Sequence, residues 1–139
     1  MGDAIPPKPL PEPTPESRPH WAALQEGRFL LQRCTGCGRI RHYPRPLCEA
    51  CHGFAHDWVE AAGKARVHSW TVAHHPFHPA FRADLPYVLV TADLPEGVRV
   101  LARLKDAGPE ALQAGAPLRL SVEDRGDGQP LPVVRLAEG

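Results

Sequence analysis

Residues 34 to 51, Cys34-Thr35-Gly36-Cys37-Gly38-Arg39-Ile40-Arg41-His42-Tyr43-Pro44-Arg45-Pro46-Leu47-Cys48-Glu49-Ala50-Cys51, hold every cysteine of the chain in two Cys-x2-Cys pairs. Two such knuckles, separated by a short arm, can close a tetrahedral four-sulfur shell around one ion. Gly36 and Gly38 allow the tight turn and positive φ that point backbone amides at sulfur. The arm from Arg39 to Pro46 reads as a hairpin, so residues 29–58 are expected to form a rubredoxin-like zinc ribbon. Cys34, Cys37, Cys48 and Cys51 are the expected metal ligands. Zn2+ in a structural role fits them best; iron is the rival, since four thiolates alone do not separate the two metals. Disulfides are disfavoured because the protein is expected in the cytoplasm, where thiols stay reduced. His52 follows the last cysteine, where such knuckles usually carry glycine. Four thiolates already fill the shell, so His52 is not expected to be a ligand.

Outward from the ribbon, the N-terminal side is proline-broken, with Pro6, Pro7, Pro9, Pro11, Pro13 and Pro15 among the first fifteen residues. Residues 1–16 are expected to be a disordered, polyproline-like leader. A solvated tail is the plainer reading, and a strap that orders on a partner is the functional one. No apolar signal core is expected there. Residues 17–28 form a short helix capped by Ser17 and ended by Gly27, with Trp21 and Leu24 on one face. So short a helix has to dock on something, its own chain or a partner groove.

Residues 59–139 are expected to form an OB-fold domain, with strand signals from Gly63 onward and a one-turn helix at Pro109–Leu112 between the third and fourth strands. Lys64–Ala73 is rich in β-branched and aromatic residues. Tyr87–Leu94 is a nearly continuous apolar run, expected to be buried on both faces. Glu96-Gly97 turns the chain into Val98-x-Val100-x-Ala102-x-Leu104. Leu118-x-Leu120-x-Val122 alternates as cleanly, and Leu131–Leu136 closes the set. The fold class is therefore mainly β: a short helix and zinc ribbon, then a five-stranded Greek-key barrel of OB-fold type, expected to be antiparallel.

Sixteen basic and sixteen acidic residues leave a formal net charge of zero, which speaks against a protein built to wrap nucleic acid. No apolar run approaches the ~20 residues that span a bilayer, so no membrane role is expected.

The ordered combination of helix, ribbon and barrel resembles the DUF35 family. Several phrases carry the resemblance: Trp21-Ala22-Ala23-Leu24 with Glu26-Gly27, Leu31-Gln32-Arg33-Cys34, and Tyr43-Pro44-Arg45-Pro46-Leu47-Cys48. The barrel adds Ser69-Trp70-Thr71-Val72, His78-Pro79-Ala80-Phe81, Leu85-Pro86-Tyr87-Val88 and Glu96-Gly97-Val98-Arg99. The resemblance covers about residues 17–136. It implies a non-catalytic accessory subunit in a hetero-oligomer with a thiolase-like, aldolase-like or hotdog-fold hydratase partner acting on CoA thioesters. Such a subunit helps form the acyl-CoA channel while the catalytic residues lie on the partner.

Coenzyme A calls for guanidinium groups at its phosphates and an apolar strip along its pantetheine arm. Arg33, Arg39, Arg41 and Arg45, with Arg28, fall in a stretch without an acidic residue and are the candidate phosphate contacts. They would equally serve as the solvated face of the ribbon. The His74–Arg82 loop is long for a small barrel, and His75, Phe77, His78 and Phe81 are the candidate partner or acyl-channel residues. Its histidines have no nucleophile or carboxylate pair beside them, so no catalytic residue is assigned. The other function class is a ribbon-plus-OB module for nucleic acid. Arg99, Leu101, Arg103 and Lys105 on the third barrel strand supply charge for it, but no aromatic stacking platform.

Overall fold

The computed structural model describes residues 4–138. One helix, α1 (Arg18–Gln25), precedes a three-stranded sheet of β1 (Leu30–Cys34), β2 (Ile40–Arg41) and β3 (His56–Glu60), in the order β2-β1-β3. Gly27, at φ 75°, ends the helix as expected, its N–H reaching Leu24 O. Ser17 sits at the N-cap position but makes no side-chain cap bond. Its hydroxyl oxygen instead accepts from Thr14 N at 2.8 Å, tying the helix start to the leader. Leu24 is fully buried, and Trp21 packs beside it against the same core.

Five strands follow: β4 (Lys64–Ala73), β5 (Tyr87–Asp93), β6 (Arg99–Leu104), β7 (Pro117–Asp124) and β8 (Pro130–Leu136). They close into a barrel in the order β4-β5-β6-β8-β7. β4 pairs with β7 at its first three residues and with β5 along the rest, with a register shift between Val67 and Ser69. A bulge of this kind bends one long strand so that it serves both sides of the closure. The pairings are antiparallel except where β6 meets β8 in parallel, at Arg103 with Val133 and Leu104 with Val134. The sequence reading of five antiparallel strands is corrected at that seam. The cause is topological: β8 already runs antiparallel to β7, and closing the barrel lays it beside β6 in the same direction.

A second correction concerns β5. Its apolar run is not buried on both faces. Val88, Val90 and Ala92 are buried, whereas Tyr87, Leu89, Thr91 and Asp93 are half-buried. The outward set alternates with the inward one, as the period of two requires. A short 3₁₀ helix, Pro79–Asp84, lies in the β4–β5 connection, and its Phe81 stacks toward Tyr87 at 6.3 Å between ring centres.

Leu24 of α1 and Phe29 and Leu31 of the ribbon share one contiguous apolar cluster with Val67, Val90, Val100, Leu118 and Val134 of the barrel. Ribbon and barrel therefore bury a common core, each large aliphatic side chain contributing ~1.5–3 kcal/mol of transfer free energy. The leader is not free of the fold either. Lys8 Nζ lies 2.8 Å from Asp84, and Arg125 donates to Pro9 O at 2.9 Å. At these two points the leader touches the barrel, while residues 4–7, 9, 10 and 12–15 are exposed.

Candidate functional site

The two knuckles repeat one backbone design. Gly38 N donates to Cys34 O at 2.8 Å, and His52 N donates to Cys48 O at 2.9 Å. Gly38 has φ 79°, and His52 takes the equivalent left-handed position at φ 62°. The expectation of glycine there is thus met in one knuckle and broken in the other. The four Sγ atoms lie within 4.8 Å of one another, with Cys34 and Cys51 separated by 3.5 Å and Cys37 and Cys48 by 3.7 Å. Tetrahedral bonds of ~2.3 Å from zinc to sulfur demand S···S separations of about 3.8 Å, so the shell is of the right size for that ion. A Cβ at Gly36 or Gly53 would come within 3.3 Å of Cys51 Sγ. Both glycines keep the space beside the sulfurs clear. The Cys37 amide draws the Cys34 thiol below its ordinary range, and the Cys51 and Ala50 amides bring Cys48 down to about 6. Cys51 moves the other way: although the Gly53 amide favours its thiolate, burial and the neighbouring Cys34, Cys48 and Cys37 push it up to about 11, a crowding of sulfur charge that a bound cation would relieve. Among the described residues the four thiols are the cluster able to hold an ion, and His52 stands outside it.

The arginines divide. Arg33 makes a two-pronged contact with Asp57, at 2.8 and 2.7 Å, and so holds that carboxyl below the usual range. Arg28 reaches Glu26 and Glu60, while Arg39 and Arg45 converge on Glu49 at 3.0 and 3.5 Å. The stretch without acidic residues is therefore balanced by carboxylates that β3 and the second knuckle bring alongside. Sequence distance hid them.

Arg41 differs. Only 7 % exposed, it donates from Nε to Gln32 Oε1 at 2.6 Å and from Nη2 to Arg45 O at 3.0 Å. Gln32 Oε1 also accepts from Arg45 N at 2.7 Å, which pins the arm against β1. Arg41 Nη1 is buried with no hydrogen-bond partner among the described residues. A cavity of about 450 Å3 opens here between ribbon and barrel, lined by Arg39, Arg41, Arg45 and Arg99 together with Glu49 and Asp93. Arg33 is not part of it. Arg99, which strand periodicity placed on a solvated face, is the cation that reasoning from the ribbon alone misses.

The His74–Arg82 loop also divides. Phe77 is 87 % exposed and His75 stacks on its edge at 4.7 Å between ring centres. His78 turns inward, its Nδ1 accepting from Ala80 N at 3.1 Å to cap the 3₁₀ helix. Phe81 lines a second cavity of about 260 Å3, with Tyr87, Leu89, Leu101, Leu131 and Val133, on the outer face of β5, β6 and β8. Aromatic rings do accompany the basic residues of β6, supplied by the loop and by β5: Arg103 lies over Tyr87 at 4.8 Å.

One further pair went unmarked in the sequence. His20 of α1 and His42 behind β2 face each other at 5.4 Å between ring centres, and burial pushes both below the ordinary histidine range, His42 to about 3.

A family model of the ChsH2 rubredoxin-like zinc ribbon domain matches residues 21–57, and one of the ChsH2 C-terminal OB-fold domain matches residues 58–123. A solved structure, described as an Ltp2-ChsH2(DUF35) aldolase, superposes with a TM-score of 0.84 at 37% identity, covering 93% of this chain and 100% of that one. The chain belongs to the DUF35 family. A probable enoyl-CoA hydratase alpha subunit of Thermomonospora curvata is 41% identical over 83% of this chain. The chain spans about a third (35%) of that relative's length. A DUF35 domain-containing scaffold protein of Methanocaldococcus jannaschii is 29% identical, covering 78% of this chain and 80% of the relative. Four cysteines set this close together, within a match to a rubredoxin-like zinc ribbon, point to a structural zinc site, and zinc fits their size and donor chemistry. No helix among the described residues is long and apolar enough to cross a membrane.

Proposed function

We propose that this DUF35 chain is a non-catalytic subunit that binds an acyl-CoA enzyme of the aldolase, hydratase or thiolase type, and that its arginine-lined cavity takes the phosphates of the CoA thioester. Zn2+, held by Cys34, Cys37, Cys48 and Cys51, would staple the arm that carries those arginines. The observation that carries the reading is Arg41. A buried guanidinium with an unpaired Nη1 is costly unless an anion meets it; the other arginines of its cavity, Arg39, Arg45 and Arg99, are paired with Glu49 and Asp93 and would exchange those partners for phosphate. Relatives named for enoyl-CoA hydratase and for an aldolase assembly make a CoA thioester the anion of choice. The exposed Phe77 and His75 suit a partner surface better than chemistry, since no nucleophile or carboxylate pair stands beside them. Oligonucleotide binding on the outer barrel face gains Tyr87 and Phe81, yet Arg99 and Arg103 there are tied to Asp93 and Asp84.

Capture of the tagged chain from its native host, with mass spectrometry of the retained proteins, tests the partner. An acyl-CoA enzyme in comparable amount is expected; a free monomer that alters no such enzyme would sink the reading. Cys48→Ser is expected to lose both zinc and the partner. For the cavity, CoA binding to the complex is expected to weaken about 10-fold or more in Arg41→Met, the loss of one charge-assisted contact. Dephospho-CoA should show a smaller effect. Equal binding of CoA by both proteins would remove the cavity from the function.

A further inference from the structure

We propose that the free edge of β4, from Ser69 to Ala73, pairs antiparallel with the same segment of a second copy of this chain.

The edge is open because β4 changes neighbours along its length. β7 pairs only with Lys64, Ala65 and Arg66, and Val67 then ends that ladder through Ala116 O and Gly115 N. Past the bulge, Ser69 to Ala73 keep β5 on one side, and among the described residues no backbone hydrogen bond meets them on the other. The alternation of the ladder decides which groups are left over. Leu94 N donates to Val98 O, so Leu94, Ala92 and Val90 turn their backbone groups toward β6. Thr91, Leu89 and Tyr87 therefore turn theirs toward β4, where they meet Ser69, Thr71 and Ala73. Trp70 and Val72 present N–H and C=O to the open side. Edges of this kind are normally guarded by lysine, proline or an inward-pointing charge. Ser69-Trp70-Thr71-Val72-Ala73 contains none of these.

The side chains agree with the backbone. Trp70 and Val72 stand opposite Val90 and Val88, both buried, and so lie on the core-facing side of the sheet. Trp70 is nevertheless 37% exposed, whereas Val90 is fully buried. An indole on the inner face is thus left uncovered beside the open edge.

A second copy supplies what this edge lacks. With a two-fold axis at Thr71, Trp70 of one copy exchanges backbone bonds with Val72 of the other, and Ser69 meets Ala73. Thr71 meets its own counterpart, so the contact is isologous and closes on itself. Each indole gains an aliphatic neighbour across the new ladder. The segment is uncharged, and a formal net charge of zero leaves two copies without long-range repulsion. A ladder this short buries less than the ~1,600 Å2 of a standard interface, so a weak dimer in the micromolar range is expected.

The test is sedimentation of the zinc-loaded full chain over a concentration series, with amide exchange at Trp70 and Val72 followed by NMR. The native chain is expected to pass from monomer to dimer, and the two amides to gain protection as it does. Thr71 is exposed and opposite the outward-facing Leu89, so Thr71→Lys and Thr71→Glu are expected to keep the native circular dichroism and zinc content. Each variant sets like charges against one another at the axis, where Cα atoms lie ~4.5 Å apart, and is expected to weaken dimerisation about fivefold or more. An equimolar mixture of the two variants is expected to recover the dimer, because opposite charges then meet. A native chain that stays monomeric up to about 1 mM overturns the proposal. A dimer indifferent to both charges, or one that the mixture fails to restore, overturns it as well. Protection of the two amides only in the complex with an acyl-CoA enzyme, with no dimer in its absence, would give the edge to that enzyme and overturn the second copy as its occupant.

Discussion

At the scale of single residues, His52 carries the clearest conflict between local conformation and side chain. It holds φ 62°, the left-handed position that Gly38 fills in the sister knuckle. A Cβ in that region costs energy that glycine avoids, offset in part by glycine's larger loss of freedom on folding. His52→Gly is expected to stabilise the zinc-loaded protein by about 0.5–1 kcal/mol in urea unfolding, with zinc content unchanged. Destabilisation, or a fall in bound zinc, would show that the imidazole does something the fold requires. The same knuckles show what the sequence can disclose. Ligand spacing and turn glycines are local, so the ribbon is legible in Cys34 to Cys51 alone. Contacts across the fold were not legible in this way. Asp57 neutralises Arg33 from 24 residues away, and Gln32 braces Arg41 from the neighbouring strand. An arginine-rich stretch looks uncompensated until β3 and the second knuckle bring their carboxylates to it.

Between elements, α1 and β2 are joined through the His20–His42 contact, with Phe29 at 5.4 and 5.3 Å from the two rings and Trp21 and Tyr43 against the outer sides. Periodicity found Trp21 and Leu24 on the buried face of α1, but a histidine in a polar arm gave no sign that it would be desolvated. Burial holds both rings neutral, so their folded pKa values lie below the unfolded value of ~6.5. The sign follows: above that value neither state carries the protons, and the full stability is present. As pH falls from 6.5 toward 3, the unfolded chain takes protons that the folded one refuses, and stability is lost. Zinc release by acid adds to the decline, so the informative comparison is between variants with the same four cysteines. His42→Phe is expected to lose less stability than the native chain between pH 7.5 and 5.5 in denaturant titrations. Parallel slopes for the two proteins would show that the buried pair does not drive the acid response.

For the molecule as a whole, the question is how far the metal staple supports a core that ribbon and barrel share. β1 and α1 place Phe29, Leu31 and Leu24 in the cluster that contains Val100, Leu118 and Val134, whereas the knuckle turns, residues 35–38 and 49–52, are exposed and bury no aliphatic side chain. The barrel closes on itself through backbone ladders that include no ribbon strand. Metal binding free energy should therefore be spent locally, ordering the knuckles and the arginine arm, while apolar burial holds β1 and α1 to the barrel. Chelation is expected to strip protection from amides between Thr35 and Ala55 in hydrogen exchange and to leave β4 to β8 protected. The far-UV β signal should be largely retained, and CoA binding lost along with the arm's geometry. Re-adding zinc should restore both protection and binding. Loss of protection throughout the barrel on chelation would mean that the staple, rather than the shared apolar core, unites the two halves. Cysteine spacing would then govern the whole fold, beyond the local arm that presents Arg41.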